Sequence, residues 1–169
     1  KTGMDKMLFN DQAHTIRLTR KGMHLDLGGI AKGYAVDEAL KTLRQEKIQY
    51  ALVDGSGDMA MTDHPDGTWD IFIADTKKAT QLIKLSSGAI ATSGDSIQGF
   101  EVNGKHYSHI VNPKTGMGII NRCRVTVIAP NAELADALAS AISVMGPQRG
   151  LQLAASLSGV EVLILQKVK

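Results

Sequence analysis

Short apolar runs and longer amphipathic segments follow one another along the chain, and their spacing predicts most of its secondary structure. Apolar residues at every third or fourth position indicate helices, whereas short apolar runs bounded by turn residues indicate strands. The helical pattern covers Ala31 to Gln45, Ala132 to Met145 and a shorter stretch near Gln148 to Ser156. The strand pattern covers Thr15 to Leu18, Met23 to Leu27, Tyr50 to Val53, Trp69 to Ala74, Leu82 to Leu85, Ile90 to Ser93, Arg124 to Ala129 and Glu161 to Leu165.

Turn and cap residues mark the ends of several of these elements. Asn103-Gly104 predicts a tight hairpin between Glu101-Val102 and the run Lys105 to Tyr107. Asn131 is a favourable N-cap for the second helix, which Gly146-Pro147 closes. For the first helix, the pattern predicts an apolar face of Tyr34, Val36, Ala39, Leu40 and Leu43 and a water-facing side of Asp37, Glu38, Lys41 and Arg44.

The order of these elements favours an α+β fold with a mixed or antiparallel sheet core and packed helices. Strands and helices are mixed without regular βαβ alternation and without internal repeats. The 169 residues are 43% hydrophobic and 21% charged, which is typical of one globular domain. Because no linker-like segment divides the chain, we predict a single domain over residues 1–169.

Charge and composition exclude several classes of function. The net charge is only +2 and aromatic residues make up 4% of the chain, so a basic, base-stacking surface for nucleic acid is not expected. Cys123 is the single cysteine, which excludes an internal disulfide and a cysteine-rich metal site. No uninterrupted apolar segment reaches the length of a membrane span. These features leave the cellular compartment open.

The stretch LDLGGIAKGYAVD, from Leu25 to Asp37, combines a strand-like run, a glycine turn and a helix start. Glycine permits a sharp turn and close approach of a ligand, and the first amides of a helix favour phosphate. Lys32 adds a positive charge there, and Asp26 adds a carboxylate. A pyrophosphate cradle is one interpretation. The other interpretation is a turn whose glycines serve only packing, with Lys32 as an ordinary solvated side chain. Taken alone, this stretch favours the second interpretation.

Two further stretches carry candidate chemistry. Asp136 and Ser140 are four residues apart on a predicted helix, so a carboxylate and a hydroxyl share one face as potential ligands of Mg²⁺. His109 precedes the turn Asn112-Pro113 and is able to accept a proton near neutral pH. The loop Thr92 to Asp95 offers backbone amides to an anion. Each of these features also has an ordinary structural interpretation.

Taken together, these stretches resemble the ApbE family of FAD:protein FMN transferases. The matching segments, in the family's order, are LDLGGIAKGYAVD, ALVDGSGDMAM, IATSGD, YSHIVNPKTG and VTVIAPNAELADALASA. Several separate motifs in the same order are far more specific than any one of them. The resemblance therefore favours the functional interpretation of each stretch and implies an ApbE-like, T-fold-like architecture.

The resemblance also implies roles for individual residues. Mg²⁺ would be held by the backbone carbonyl of Gly29, the carboxylate of Asp136 and the hydroxyl of Ser140. The flavin nucleotide would be contacted by Asp26, by Lys32 and, mainly through its backbone, by Val111. Such enzymes use Mg²⁺ to bind FAD and transfer its FMN part to a threonine or serine hydroxyl of a target protein, with release of AMP.

Departures from the family pattern bear on these expectations. Ser140 stands where threonine is usual, and it keeps the oxygen ligand. Ala139 stands where some members have a second carboxylate, which leaves His109 as the remaining candidate for the general base. Members usually carry a further N-terminal part that supplies some of the flavin and adenine pocket. A chain without it is expected to bind FAD more weakly.

Two alternatives to the transferase follow from the same site. One is a Mg²⁺-dependent FAD pyrophosphatase, in which water replaces the protein hydroxyl, and the other is a flavin-binding remnant without turnover. The resemblance further implies target subunits such as those of sodium-pumping NADH:quinone oxidoreductase or related electron-transport proteins. It also implies a bacterial periplasmic location, with attachment to the inner membrane through a lipid anchor that this sequence does not contain.

Overall fold

The described residues form three α-helices and several small sheets around one larger sheet. A computed structural model describes residues 3–74, 80–94, 99–120 and 123–166. The helices are α1 (Ala31–Gln45), α2 (Ala132–Met145) and α3 (Pro147–Ala155), with a 3₁₀ turn at Met4–Lys6. The strands are β1 (Met7–Asn10), β2 (Thr15–Leu18), β3 (Leu52–Asp54), β4 (Met59–Met61), β5 (Trp69–Ala74), β6 (Thr80–Leu85), β7 (Gly88–Gly94), β8 (Gly99–Val102), β9 (Lys105–Ser108), β10 (Cys123–Ala129) and β11 (Glu161–Gln166).

The central sheet has five strands in the order β11-β10-β7-β4-β3, and all of its neighbouring pairs are antiparallel. Strands β7 and β10 lie inside the sheet; β10 is buried along most of its length, whereas β7 is buried at Ala89, Ile90 and Ala91 and half-buried elsewhere. Burial on both faces explains the mainly apolar sequence of β10 and the apolar centre of β7. The α+β prediction with an antiparallel sheet core is confirmed.

The helices cover one face of this sheet. Ala89 and Ala91 of β7 are fully buried there, as are Ala135 and Ala139 of α2. Small side chains on both surfaces allow the helix backbone to approach the strands closely, and Val127 of β10 completes the contact. Alternation along β7 sends its other residues to the opposite face, so the sheet separates two apolar layers.

A hairpin of β5 and β6 covers the opposite face. Ile71 and Ile73 of β5 pack against Met61 and Ile90 of the central sheet, and all four are buried. The predicted strand Trp69 to Ala74 is confirmed at both ends, because its alternating apolar residues match one buried and one exposed face. The predicted β8–β9 hairpin is also present, with positive φ at Asn103 and Gly104 as a type I′ turn requires.

Helices α1 and α2 are joined by a carboxylate that we predicted to face water. Asp37 of α1 accepts hydrogen bonds from the backbone N–H groups of Ala132 (2.9 Å) and Glu133 (2.8 Å). It therefore caps the N-terminus of α2 from a neighbouring helix, where a negative charge is favourable. Helical periodicity placed Asp37 on the polar side correctly. It could not reveal that the start of α2 lies against that side.

Replacing Asp37 with alanine should destabilise the fold by about 2 kcal/mol, the upper end of measured cap losses. Two amides at a helix start would lose a charged acceptor, and the contact between α1 and α2 would weaken. Urea unfolding measures the change. Glu38→Ala is the matched control, because Glu38 pairs only with the exposed Lys41 and should cost less than about 0.5 kcal/mol. Equal losses in the two variants would contradict the capping role.

Several local predictions were wrong. The predicted strand Met23 to Leu27 is wrong, because this segment forms no strand, and β2, which precedes it, pairs with β1. The sequence pattern missed β1 and the three-residue β4 because neither shows a run of β-branched residues. On α1, Tyr34 and Ala39 are exposed, and the buried residues are Gly33, Val36 and Leu40.

The helix predictions agree closely with the structure. α1 and α2 begin and end at the predicted residues, and Asn131 accepts the N–H of Leu134 as the predicted N-cap. α3 begins one residue earlier than predicted, with Pro147 in its first turn. In the described segments, no helix combines the length and the apolar character that a bilayer crossing requires.

Candidate functional site

The glycine turn before α1 and the inner face of α2 meet at one place. An ideal Cβ on Gly29 would lie 3.1 Å from the hydroxyl oxygen of Ser140, so the backbone of the turn approaches this side chain directly. The N–H of Gly33 donates a hydrogen bond of 3.1 Å to Oδ2 of Asp136. The two ligands predicted on α2 are therefore adjacent to the predicted cradle.

Local hydrogen bonds set the shape of the cradle. The carbonyl of Leu27 accepts the N–H groups of Ile30 and Ala31, which turns the chain into α1. Asp26 lies on the exposed outer side of this turn and accepts the N–H of Gly28 at 2.8 Å. Asp26 thus stabilises the turn itself, and its predicted contact with a flavin nucleotide stays a prediction.

Asp136 acts as the cap of α1. The N-cap residue Ile30 has no side-chain acceptor, and the carboxylate of Asp136 accepts the N–H of Gly33 in the first helical turn. Gly33 is required here, since a Cβ would collide with the carbonyl oxygen of Ala132. Together with the bonds from Asp37, this arrangement makes each of the two helices cap the other.

A second buried carboxylate, Asp58, lies beside this cluster and was not among the predicted site residues. Its side chain is 1% exposed and forms an ion pair with Nζ of Lys32, whose own side chain is half exposed. Burial raises the pKa of Asp58, and the nearby charge of Asp136 raises it further, whereas Lys32 and a backbone hydrogen bond from Thr92 lower it. The net direction is upward.

This raised pKa predicts how stability depends on pH. Asp58 binds a proton in the folded chain at a higher pH than in the unfolded chain, where its pKa is near 3.8. Acidification therefore stabilises the fold through this group, beginning at the folded pKa and becoming complete below the unfolded pKa. The free energy of unfolding of the wild type should rise relative to that of Asp58→Asn over this window. Urea unfolding at a series of pH values measures it, and a constant difference would contradict the shift.

The segment IATSGD contains the predicted strand Ile90 to Ser93, which is confirmed within β7, but the loop that we predicted to begin at Thr92 does not begin there. Thr92, Ser93 and Gly94 belong to β7, and Asp95 lies outside the described residues. The hydroxyl of Ser93 is 3.1 Å from that of Ser140, so β7 contributes an oxygen directly beside the predicted metal ligand. The hydroxyl of Thr92 pairs instead with that of Thr126 on the other sheet face, at 2.9 Å.

The residues around Ser140 fit a small divalent cation. Asp136 supplies a carboxylate and Ser140 a hydroxyl, and the turn at Gly29 is close enough for its backbone to join them. Such an oxygen donor set, completed by water or phosphate, suits Mg²⁺. Ala139 points into the hydrophobic core with no exposed surface, so it adds no second carboxylate. Throughout the described ranges, no cluster of three or more His, Cys, Asp or Glu side chains suitable for a metal occurs.

The segment that contains His109 and Val111 forms a separate, more exposed part of the chain. It follows β9, where Ser108 is buried and its hydroxyl accepts the N–H of Ile110. His109 is exposed, and Val111, which is 51% exposed, forms an isolated bridge with Gly118. The structure joins Gly29, Lys32, Asp136 and Ser140 in one cluster, whereas the roles of His109 and Val111 stay predictions.

Comparisons with known proteins show which family this chain resembles. A model of the ApbE family matches residues 1–164. The FAD:protein FMN transferase of Vibrio cholerae is 34% identical over 173 residues, covering 98% of this chain and 51% of that protein. The enzyme of the same name from Treponema pallidum is 31% identical and covers 90% of this chain and 46% of its own length. The chain thus spans about half the length of these curated relatives.

Solved structures give the same result for the fold. The crystal structure of the ApbE protein from Thermotoga maritima aligns with a TM-score of 0.85 and 34% identity, over 97% of this chain and 55% of that one. The flavinyl transferase ApbE of Pseudomonas stutzeri aligns with a TM-score of 0.82 and 31% identity, over 99% and 52%. The family model covers nearly the whole sequence. The chain belongs to the ApbE family.

Proposed function

We propose that this chain carries the catalytic site of a Mg²⁺-dependent FAD:protein FMN transferase. The observation that supports this most strongly is the meeting of Gly29, Lys32, Asp136 and Ser140, which come from motifs far apart in the sequence. Together they place the Lys32 ammonium, the start of α1 and oxygen ligands for a metal ion in one place. Each of these features would help to bind the negative charge of a pyrophosphate. The identification of FAD as the substrate and FMN as the transferred group is based on the names of the relatives.

In the proposed reaction, a threonine or serine hydroxyl of a target protein attacks the phosphorus of the FMN part of FAD. A bond forms between the hydroxyl oxygen and this phosphorus, and the bond from phosphorus to the bridging pyrophosphate oxygen breaks. AMP leaves with that oxygen, and the hydroxyl proton passes to a base, for which His109 is the candidate. Lys32 would contact the pyrophosphate and oppose the charge that develops on AMP.

A bound Mg²⁺ would supply Lewis acidity and neutralise pyrophosphate charge. Asp136, Ser140 and the backbone of Gly29 would hold it, while Asp26 and the backbone of Val111 would contact the flavin nucleotide. We further propose target subunits of bacterial electron-transport proteins, such as sodium-pumping NADH:quinone oxidoreductase, and a periplasmic location at the inner membrane. The chain spans about half of the length of its relatives. We therefore propose that a region corresponding to the other half of those proteins would complete the FAD pocket.

A transfer assay tests this function. The protein is mixed with FAD, Mg²⁺ and a target domain that carries an acceptor threonine, and covalent FMN is measured by gel fluorescence and mass. Labelled target with release of AMP, abolished by EDTA, is the expected result. Free FMN and AMP without labelled target would favour the pyrophosphatase. FAD binding without either product would indicate a flavin-binding remnant.

A further inference from the structure

Asp58 is a fully buried carboxylate that the proposed reaction does not use. It immediately follows the loop Ser56-Gly57 and begins the chain's return toward β4. A carboxylate with 1% exposure is costly unless its charge is paired and hydrogen-bonded. Its partners are Nζ of Lys32 and the backbone N–H of Thr92. The surroundings of the Asp58 side chain therefore provide a cation and a hydrogen-bond donor for a carboxylate.

The loop before Asp58 fixes the direction of this side chain. The N–H of Gly55 donates to the carbonyl of Asp58 at 2.8 Å, and the N–H of Gly57 donates to the carboxylate of Asp54 at 2.7 Å. Ser56 and Gly57 both have positive φ, at 65° and 98°. Because these bonds close the loop on the outside, the carboxylate of Asp58 is directed inward to α1.

Lys32 is well placed to serve two partners. Its side chain is half exposed while its ammonium meets the buried carboxylate, so the ion pair lies at the boundary between the core and the cleft. An ammonium has three N–H donors, and one bond to Asp58 leaves the other donors for a second anion. A long lysine side chain loses considerable conformational entropy when it is fixed in one position. Because Asp58 already fixes Lys32, less entropy remains to be lost when the second anion binds.

We propose that Asp58 is a positioning residue that holds the Lys32 ammonium at the cradle, ready to bind the pyrophosphate of a dinucleotide. This inference rests on the proposed function for the identity of the ligand, but the ion pair itself does not depend on it. Asp58 acts only through Lys32 and touches neither the ligand nor the reacting atoms. Removing its charge should leave the fold intact while the lysine becomes mobile.

The first test measures the lysine without any flavin. The wild type and Asp58→Asn are labelled with trace acetic anhydride, and acetylation of each lysine is quantified by mass spectrometry with Lys41 as internal reference. Lys32 should react several-fold faster in Asp58→Asn, because its amine is no longer held against a buried carboxylate and is more accessible to the reagent. Asp70→Asn is the matched control: it releases the exposed Lys84, 2.6 Å from Asp70, and should leave Lys32 unchanged. Unchanged labelling of Lys32 in Asp58→Asn would overturn the proposal.

The second test is a cycle of FAD affinities for the wild type, Asp58→Asn, Lys32→Met and the double variant. Asp58→Asn should weaken FAD binding by about 10-fold, which is less than the roughly 30-fold loss expected when the Lys32 ammonium itself is removed. It should cause no further loss in the Lys32→Met background, since it acts only through Lys32. Additive losses would overturn the proposal. If the wild type binds no FAD but labelling of Lys32 still rises in Asp58→Asn, the positioning is supported and the proposed function fails.

Discussion

Asp136→Asn should lower Mg²⁺-dependent flavin transfer on the order of 100-fold to 1000-fold, the loss typical of removing one preorganised charge-stabilising group. The amide oxygen of asparagine can still accept the N–H of Gly33, so the cap of α1 is kept while the metal ligand loses its charge. The loss should shrink as the Mg²⁺ concentration rises. Initial rates of target labelling across a Mg²⁺ titration measure both effects, and full activity at low Mg²⁺ would refute the metal assignment.

The choice of asparagine follows from the burial of Asp136. At the surface of a cleft, such a carboxylate could be replaced by alanine without loss of stability. Asp136 is 3% exposed and hydrogen-bonded, so Asp136→Ala would leave the Gly33 N–H unsatisfied and cost about 1–3 kcal/mol. Glu133→Gln is the matched control, because it removes a carboxylate from the exposed side of the same helix and should leave transfer unchanged.

The sequence predicted best those features that depend on neighbouring residues. The bounds of α1 and α2, the N-cap at Asn131 and the type I′ turn at Asn103-Gly104 are set within a few positions, and the structure confirms each of them. The four-residue spacing likewise placed Asp136 and Ser140 on one helical face. Local geometry was sufficient for these elements because the chain itself fixes it.

Features that depend on which elements meet could not be predicted in this way. Asp37 was interpreted from its own helix as a water-facing residue, and Asp58 lay in the segment ALVDGSGDMAM without an assigned role. Their partners lie on elements remote in sequence, at the start of α2 for Asp37 and on α1 for Asp58. The available signal was weak: each aspartate lies within a segment that resembles the family, LDLGGIAKGYAVD for Asp37 and ALVDGSGDMAM for Asp58.

Lys32→Met should weaken FAD binding by about 2 kcal/mol, roughly 30-fold, because a charge-assisted hydrogen bond to the pyrophosphate is lost. The same change should lower the free energy of unfolding by about 2 kcal/mol, less than for a fully buried pair because the lysine side chain is half exposed. The cause is the carboxylate of Asp58, which stays buried without its cation. Isothermal titration with FAD and urea unfolding measure the two losses.

The double variant Lys32→Met with Asp58→Asn separates the two effects. Neutralising Asp58 removes the unpaired buried charge, so most of the lost stability should return, while FAD affinity should stay at the level of Lys32→Met. Recovery of both quantities would show that Lys32 matters only for folding. Recovery of neither would mean that the stability of this site does not depend on the pairing of Lys32 with Asp58. Recovery of stability alone is the expected result. An uncharged residue 58 no longer needs the Lys32 ammonium in the core, whereas FAD still lacks that ammonium at the cleft.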